Sequence, residues 1–363
     1  MDVGMESSFG QACSTASDDR PFAAVFDREE FRRELRALTV AKLRWGSPQE
    51  TRVKLLRPHA GRRNTFEVAV RTKSGWHSLI VKLYSSDRPD VFRVMNAFQE
   101  AGFKEPAEFA IPRPLLHLPS LGARLEEKIS GVSAEDIFVE GSRNEKIAAA
   151  ERCAQWLAQF HALAPPLGKP CEDDLSRIRH STQHLISMEG RFAHKCNLIL
   201  AQLMAAGPVP DKGEFRTCHG SYIPQHVVLT GRSTVVLDLD DYFLAHPSRD
   251  VAYFMVGIQR LAEKRLDSFH ELDWVSEVFL SSYVRSSSGA VLARLPLARA
   301  AEYVHVAKKR AAANQSSEWR ERAEVMLEEA LLALQPAPLD GGGTRQKARP
   351  PGFGERAAGG NGL

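Results

Sequence analysis

The stretch CHGSYIPQHVVLTGRSTVVLDLDDYFLAHPSRDVAYF, residues 218–254, constrains the fold more than any other part of the chain. VVLT (227–230) and TVVLD (234–238) flank Gly231, and two short β-branched runs around a glycine read as a tight hairpin. A loop that begins at His219 leads into the hairpin, and the hairpin delivers Asp238 at a strand end. Asp240 lies two residues on, on the same side if the strand continues. A loop and a strand end tied together in this way place their side chains within a few ångströms of each other.

The rest of the chain divides into a β-rich and an α-rich half. Asp27, with Glu30 three residues later, has capping-box spacing ahead of a helix whose Phe31, Leu35 and Leu38 share a face. Residues 51–84 read as strands, with TFEVAV and HSLIVKLY joined by a turn at Gly75. Lys82 stands inside the second of these, among apolar neighbours. Burying an ammonium costs on the order of several kcal/mol unless a partner compensates it. Either the strand is an edge with Lys82 in solvent, or Lys82 is buried against such a partner. VFRVMNAFQEAG (91–102) is helical and ends at Gly102; ARLEEKI follows as a short strand before Gly131. Residues 145–164 form an amphipathic helix with Ile147, Ala150, Cys153, Trp156, Leu157 and Phe160 in its stripe, closed by Pro165 and Pro166. Residues 170–215 read as mostly helical, and further helices follow Phe254, most clearly at 317–334. This order predicts an α+β fold of two lobes: a β-rich lobe over 23–130 and a helical lobe over 131–335, with a cleft between them suited to a ligand. Residues 1–22 and 336–363, rich in Ser, Gly, Pro and Arg, are expected to be disordered.

Composition narrows the function. A net charge of +3 over 363 residues, with both signs mixed along the chain, argues against nucleic-acid and membrane partners. The five cysteines are widely spaced without a C-x-x-C pair, so neither a disulfide framework nor a thiolate zinc site is expected. With no basic-then-apolar N-terminus and no apolar run of membrane length, the expected location is cytoplasmic. His180 and His184 have metal-ligand spacing on a helix but no third ligand, which predicts surface histidines. Tyr222 and Tyr242 flank the loop and are read as core aromatics. Without G-x-S-x-G, Ser221 is not marked as a hydrolase nucleophile.

Three blocks carry a family resemblance: His219-Gly220-Ser221 with His226, then Leu237-Asp238-Leu239-Asp240, then His246-Pro247 with Asp250-Val251-Ala252. In order and spacing they resemble the aminoglycoside phosphotransferase and choline kinase-like family, over about residues 50–335. The resemblance implies a two-lobed protein-kinase-like fold, with a small β-rich N-lobe and a larger, mostly helical C-lobe. It implies ATP or GTP as phosphoryl donor, with Mg²⁺ or Mn²⁺, and a small hydroxylated acceptor on the helical lobe. Lys82 would pair with the nucleotide phosphates, which favours the buried reading of that residue. Asp238 would hold the metal, and Asp250 would brace the loop. The backbone of Glu127, Lys128 and Ile129 would hold the base.

The departures matter as much. Ser221 stands where the family has a catalytic Asp, and a hydroxyl is no base near neutral pH. His226 stands at the position of the metal-binding Asn; imidazole suits Mn²⁺ or Zn²⁺ better than Mg²⁺. His219, Asp240 and Asp241 are further candidates for the altered chemistry, Asp240 also as a metal ligand. In place of a Gly-rich loop, PHAGRRNTF offers Arg62 and Arg63 to phosphates, or an exposed hairpin tip. Asp90 and Glu100 are the acids nearest Lys82 in this reading. A general base is worth about 10²–10⁴-fold, roughly 3–5 kcal/mol. Phosphoryl transfer depends mostly on positioning and electrostatics, so Ser221 slows such an enzyme without necessarily silencing it. Two functions stay open: a small-molecule phosphotransferase with an atypical loop, and a pseudokinase that binds a nucleotide or partner without turnover. Nucleotidyl transfer on the same fold is a distant third.

Overall fold

The computed structural model of the protein describes residues 24–59, 63–205, 215–287, 289–313 and 318–335. The ends expected to be disordered, together with Gly61 and Arg62, lie outside these residues.

The first helix, α1 (Glu29–Ala37), presents Phe31 and Leu35 as expected, but Asp27 does not cap it. The cap position is Arg28, without a side-chain hydrogen bond. Asp27 ends a preceding helical turn and its carboxylate accepts from Arg32 instead. Strands β1 (Glu50–His59), β2 (Arg63–Thr72) and β3 (Gly75–Tyr84) follow, then α2 (Pro89–Glu100) and the two-residue strand β4 (Phe109–Ala110). Strands β5 (Pro114–Leu118) and β6 (Ala123–Glu127) complete an antiparallel sheet of order β1-β2-β3-β6-β5.

Period-two alternation gives this sheet two unlike faces. Phe66, Val68, Val70, Leu79, Val81, Leu83, Ala123 and Leu125 are buried with Phe31 and Leu35 of α1 and Leu38 just after it in one core. Each large side chain so buried contributes about 1.5–3 kcal/mol. The alternate residues form the other face, where the register sets Thr65 beside Lys82, Lys82 beside Arg124, and Ile80 beside Glu126. β3 is a central strand, which removes the edge-strand reading: Lys82 is 4% exposed.

After β6 the chain enters the helical lobe through β7 (Val132–Ser133), α3 (Ala134–Glu140) and α4 (Arg143–Leu163). Gly131 is needed at this passage, because a Cβ there would lie 2.7 Å from the Leu229 carbonyl oxygen. Helix α4 starts at a Ser142–Glu145 capping box and is the lobe's central helix. Trp156 donates to the Ala110 carbonyl at 3.0 Å and stacks on Phe160 and Tyr222. Helices α5 (Asp174–Met188) and α6 (Ala193–Ala205) lead to the short strand β8 (Arg216–Cys218). The expected hairpin is β9 (Val227–Leu229) and β10 (Thr234–Val236), paired Val228 to Val235. It sits in a second sheet of order β4-β10-β9-β7. Strand β11 (Phe243–Ala245) pairs with β8 and so closes the loop between them. Helices α7 (Ser248–Leu266), α8 (Asp273–Arg285), α9 (Leu295–Ala313) and α10 (Trp319–Leu334) finish the lobe. No helix among the described residues is long and apolar enough to cross a membrane.

Candidate active site

The hairpin ends where the backbone must turn sharply. Asp238 takes a left-handed conformation, φ +66°. That region is open to few residues other than Gly, Asn and Asp, and it swings the carboxylate out of the strand into the cleft. Gly220, also left-handed, lets the preceding loop lie against the Asp241 carbonyl, from which a Cβ would be only 2.0 Å away. A larger residue cannot sit there, so the loop and the carboxylate segment stay in contact.

Across the cleft the polar face of the sheet meets these carboxylates. Lys82 Nζ is 3.0 Å from Asp238 Oδ1, 3.6 Å from Asp240 Oδ1 and 3.6 Å from Glu126 Oε1. Arg63 forks onto Asp238, Nη1 to Oδ1 at 2.7 Å and Nη2 to Oδ2 at 3.0 Å, and its Nη1 also reaches Asp240. Arg124 Nη2 is 2.7 Å from Asp240 Oδ1 and 3.1 Å from Glu126 Oε2. The Tyr84 hydroxyl donates to Asp240 at 3.0 Å. Burial alone would push the Lys82 ammonium down; Asp238, Asp240 and Glu126 outweigh it and hold the pKa raised. Burial likewise works against ionised Asp238, and Lys82, His226 and Arg63 reverse it, keeping that carboxyl well below the usual range. Neither Asp90 nor Glu100 is the partner of Lys82. Asp90 pairs with Arg88, which also donates to the Asp240 carbonyl at 3.0 Å, and Glu100 is exposed.

The loop residues are tied to the same point. His226 Nδ1 donates to the Ser221 carbonyl at 2.8 Å, so Nε2 presents its lone pair, 3.6 Å from Asp238 Oδ2. Burial pushes His226 down to about 4, leaving the ring neutral at neutral pH. His219 Nε2 donates to the Leu237 carbonyl at 3.0 Å, and its Nδ1 faces the Ser221 amide and, at 3.4 Å, Ser221 Oγ. Burial holds His219 below its ordinary value. Ser221 Oγ donates to the Asp238 carbonyl at 3.2 Å.

Behind the loop lies a different arrangement. Asp250 accepts the His219 amide at 2.6 Å, the Gly220 amide at 2.9 Å and His161 Nε2 at 3.0 Å. His161 Nδ1 in turn meets the Tyr283 hydroxyl at 2.8 Å. His161, Cys218 and Asp250 are close enough to suggest a metal trio. Both carboxylate oxygens of Asp250 and both ring nitrogens of His161 are already bonded within the fold, and burial raises the Cys218 thiol well above its ordinary value. The trio is a brace.

Comparison with known proteins identifies the family and the fold. A model of the phosphotransferase enzyme family matches residues 54–274, more than half of the chain. The chain belongs to the phosphotransferase enzyme family. Its fold is that of the family's solved structures. A choline/ethanolamine kinase family protein from Mesorhizobium loti superposes with a TM-score of 0.55 at 14% identity, covering 88% of this chain and 95% of that one. Choline kinase LicA from Streptococcus pneumoniae gives 0.52 at 12% identity, over 82% and 98%. The GDP complex of wild-type aminoglycoside 2'-phosphotransferase-IIIa gives 0.52 at 13%, over 83% and 98%. No curated protein matches the sequence.

Within this kinase-like frame the structure brings Lys82, Arg63, Asp238, Asp240, His226, His219 and Ser221 to one place, with Asp250 directly behind. Glu127, Lys128 and Ile129 stand at the end of β6, where no backbone–backbone hydrogen bond holds Lys128 or Ile129 among the described residues. The Lys128 side chain pairs with Glu67 at 2.6 Å. His180 and His184 are exposed, and His180 pairs with Glu172. Tyr222 is fully buried and donates to the Cys153 carbonyl; Tyr242 is half-buried. Sequence reasoning missed Arg124, Glu126 and Tyr84. Their signal was present: in ARLEE and in KLY the polar residues alternate with core residues, which puts them on the Lys82 face.

Proposed function

We propose that the protein transfers the γ-phosphoryl group of ATP or GTP to a hydroxyl of a small molecule. The carrying observation is the buried charge cluster at the lobe junction. Three cations and three carboxylates held out of water contribute little to stability, because desolvation offsets much of their attraction. The same groups are what a triphosphate and its metal require.

The donor set fits a divalent cation: carboxylate oxygens from Asp238 and Asp240, and the open Nε2 of neutral His226, a set that suits Mn²⁺ at least as well as Mg²⁺. When bound, the metal supplies charge neutralisation to the phosphates. The chain does the rest. Lys82 turns from Asp238 to the phosphate oxygens while Glu126 keeps its ammonium paired. Arg63 releases the carboxylates and follows the phosphates, since its strand follows directly on the β1–β2 loop. The backbone of Glu127 to Ile129 receives the base, through the open groups of Lys128 and Ile129. Ser221 Oγ, held beside Asp238, orients the acceptor hydroxyl, and His219 fixes Ser221 in place.

A second reading has its own support. Ser221 brings no carboxylate to the base position, and Arg63 closes over the carboxylates. Both features suit a pseudokinase that binds nucleotide, or a partner, without turnover. Mass analysis of products after incubation with ATP, Mg²⁺ or Mn²⁺ and a panel of hydroxylated acceptors separates the readings. Transfer of one phosphoryl group, abolished in Asp238→Ala, is the expected result. Nucleotide binding with no product selects the second reading, and a nucleotidyl adduct overturns both.

A further inference from the structure

Beside Asp241, on the helical wall of the cleft, three helices converge with an excess of positive charge. Glu302, His305 and Lys309 share one face of α9, spaced three and four residues apart. Tyr253 and Arg260, seven apart, share a face of α7. Arg177 on α5 reaches Asp174 at 3.2 Å and Glu302 at 3.5 Å, and Arg249 at the start of α7 reaches Asp174 at 3.3 Å. These pairs engage half-buried Asp174 and buried Glu302. Arg260 and Lys309 are exposed and Lys308 is half-buried; none of the three makes an ion pair or hydrogen bond among the described residues. The wall is continuous with the loop, because the Arg249 guanidinium lies over the Phe243 ring, 5.0 Å from its centroid, and that ring packs against Gly220, where a Cβ would lie 2.9 Å from it. His305 registers the surplus: burial, with Lys309, Arg177, Lys308 and Arg249 around it, pushes its pKa down to about 3.

We propose that the acceptor is an acidic hydroxylated small molecule, whose phosphate or carboxylate group is held by Arg260, Lys308 and Lys309. The inference rests on the phosphotransferase reading and specifies its second substrate. Choline is a quaternary ammonium ion and aminoglycosides are polycations, so this wall is built for the opposite charge to the acceptors named for the similar structures. In the reaction the acceptor oxygen bonds to the γ-phosphorus. The bond from that phosphorus to the β–γ bridging oxygen breaks with its electron pair, leaving the nucleoside diphosphate. The hydroxyl proton passes to water. The anionic end of the acceptor stays on the helical wall while its hydroxyl reaches Ser221.

Calorimetric titration of the full chain tests this in two stages. The nucleotide is titrated first, which reads the phosphotransferase proposal alone. Glycerol 3-phosphate, glycerate, choline and kanamycin are then titrated into protein saturated with a non-hydrolysable ATP analogue and Mn²⁺, or into free protein if the nucleotide does not bind. Binding by glycerol 3-phosphate or glycerate is expected, the choice between them naming phosphate or carboxylate. Arg260→Glu with Lys309→Glu, both exposed positions, should weaken that binding at least tenfold and leave the nucleotide titration unchanged. Binding by choline or kanamycin alone, no binding by either anion, or anion binding indifferent to the charge reversal overturns the inference, whatever the first titration shows.

Discussion

Two buried carboxylate centres lie ten to twelve residues apart in the sequence and are built in opposite ways. Asp250 is met by two backbone amides and a histidine that is itself anchored on Tyr283. All its partners belong to the helical lobe and none carries a fixed charge. Asp238 and Asp240 are met by Arg63, Lys82 and Arg124, side chains from the facing sheet. Backbone donors cannot leave; long charged side chains can exchange one anion for another. The first centre is a brace, and the second can be opened by a ligand.

The difference predicts unequal responses to substitution. Asp250→Ala strands two buried amides and the His161 ring, and removing one side of such an arrangement costs about 3–5 kcal/mol. Chemical denaturation should show that loss, and an unchanged midpoint would break the comparison on its structural side. Ser221→Asp restores a carboxylate beside Asp238 and leaves the Asp250 carboxylate in place. It should raise turnover on a phosphorylated acceptor about 10²-fold; no change would place the limit elsewhere.

How far the sequence reached follows the same division. The hairpin, Lys82, Asp238 and Asp250 were legible because each sits in a short local pattern. Glu126 became a partner of Lys82, and Arg124 its cross-strand neighbour, only through the register of β3 with β6, which short motifs do not encode. Asp90 and Glu100 looked nearest to Lys82 in the chain order, yet α2 turns its apolar Val91, Val94, Met95 and Phe98 into the core shared with α4 and carries neither acid to the lysine. The Asp27 cap failed because a helical turn already occupied that position. The positive wall joins α5, α7 and α9, which are too far apart in sequence for any window to show.

Two smaller effects sharpen the contrast. His226 has its pKa near 4 in the folded protein, below the ordinary value of about 6.5. The unfolded chain therefore takes up the proton first as pH falls. The stability this neutral ring contributes is complete above about pH 6.5 and is lost between there and about 4. Between pH 7 and 5 the wild type should lose about 2 kcal/mol more than His226→Asn. Parallel stability curves would contradict the buried neutral ring. Arg63 and a cation compete for the same carboxylates, so Arg63→Gln should bind Mn²⁺ without nucleotide about tenfold more tightly than wild type, about 1.4 kcal/mol. Equal or weaker binding by spin resonance would show that Arg63 does not guard the site.

The central claim is that the cluster at the lobe junction is a metal–nucleotide site. Calorimetric titration with ATP and GTP, each with Mg²⁺, with Mn²⁺ and without metal, tests it most directly when wild type and Asp238→Ala are run together. Metal-dependent nucleotide binding is expected in the wild type, with its loss, by about 100-fold or more, in a variant that is still folded. Absence of binding under every condition, or binding untouched by Asp238→Ala, would contradict it.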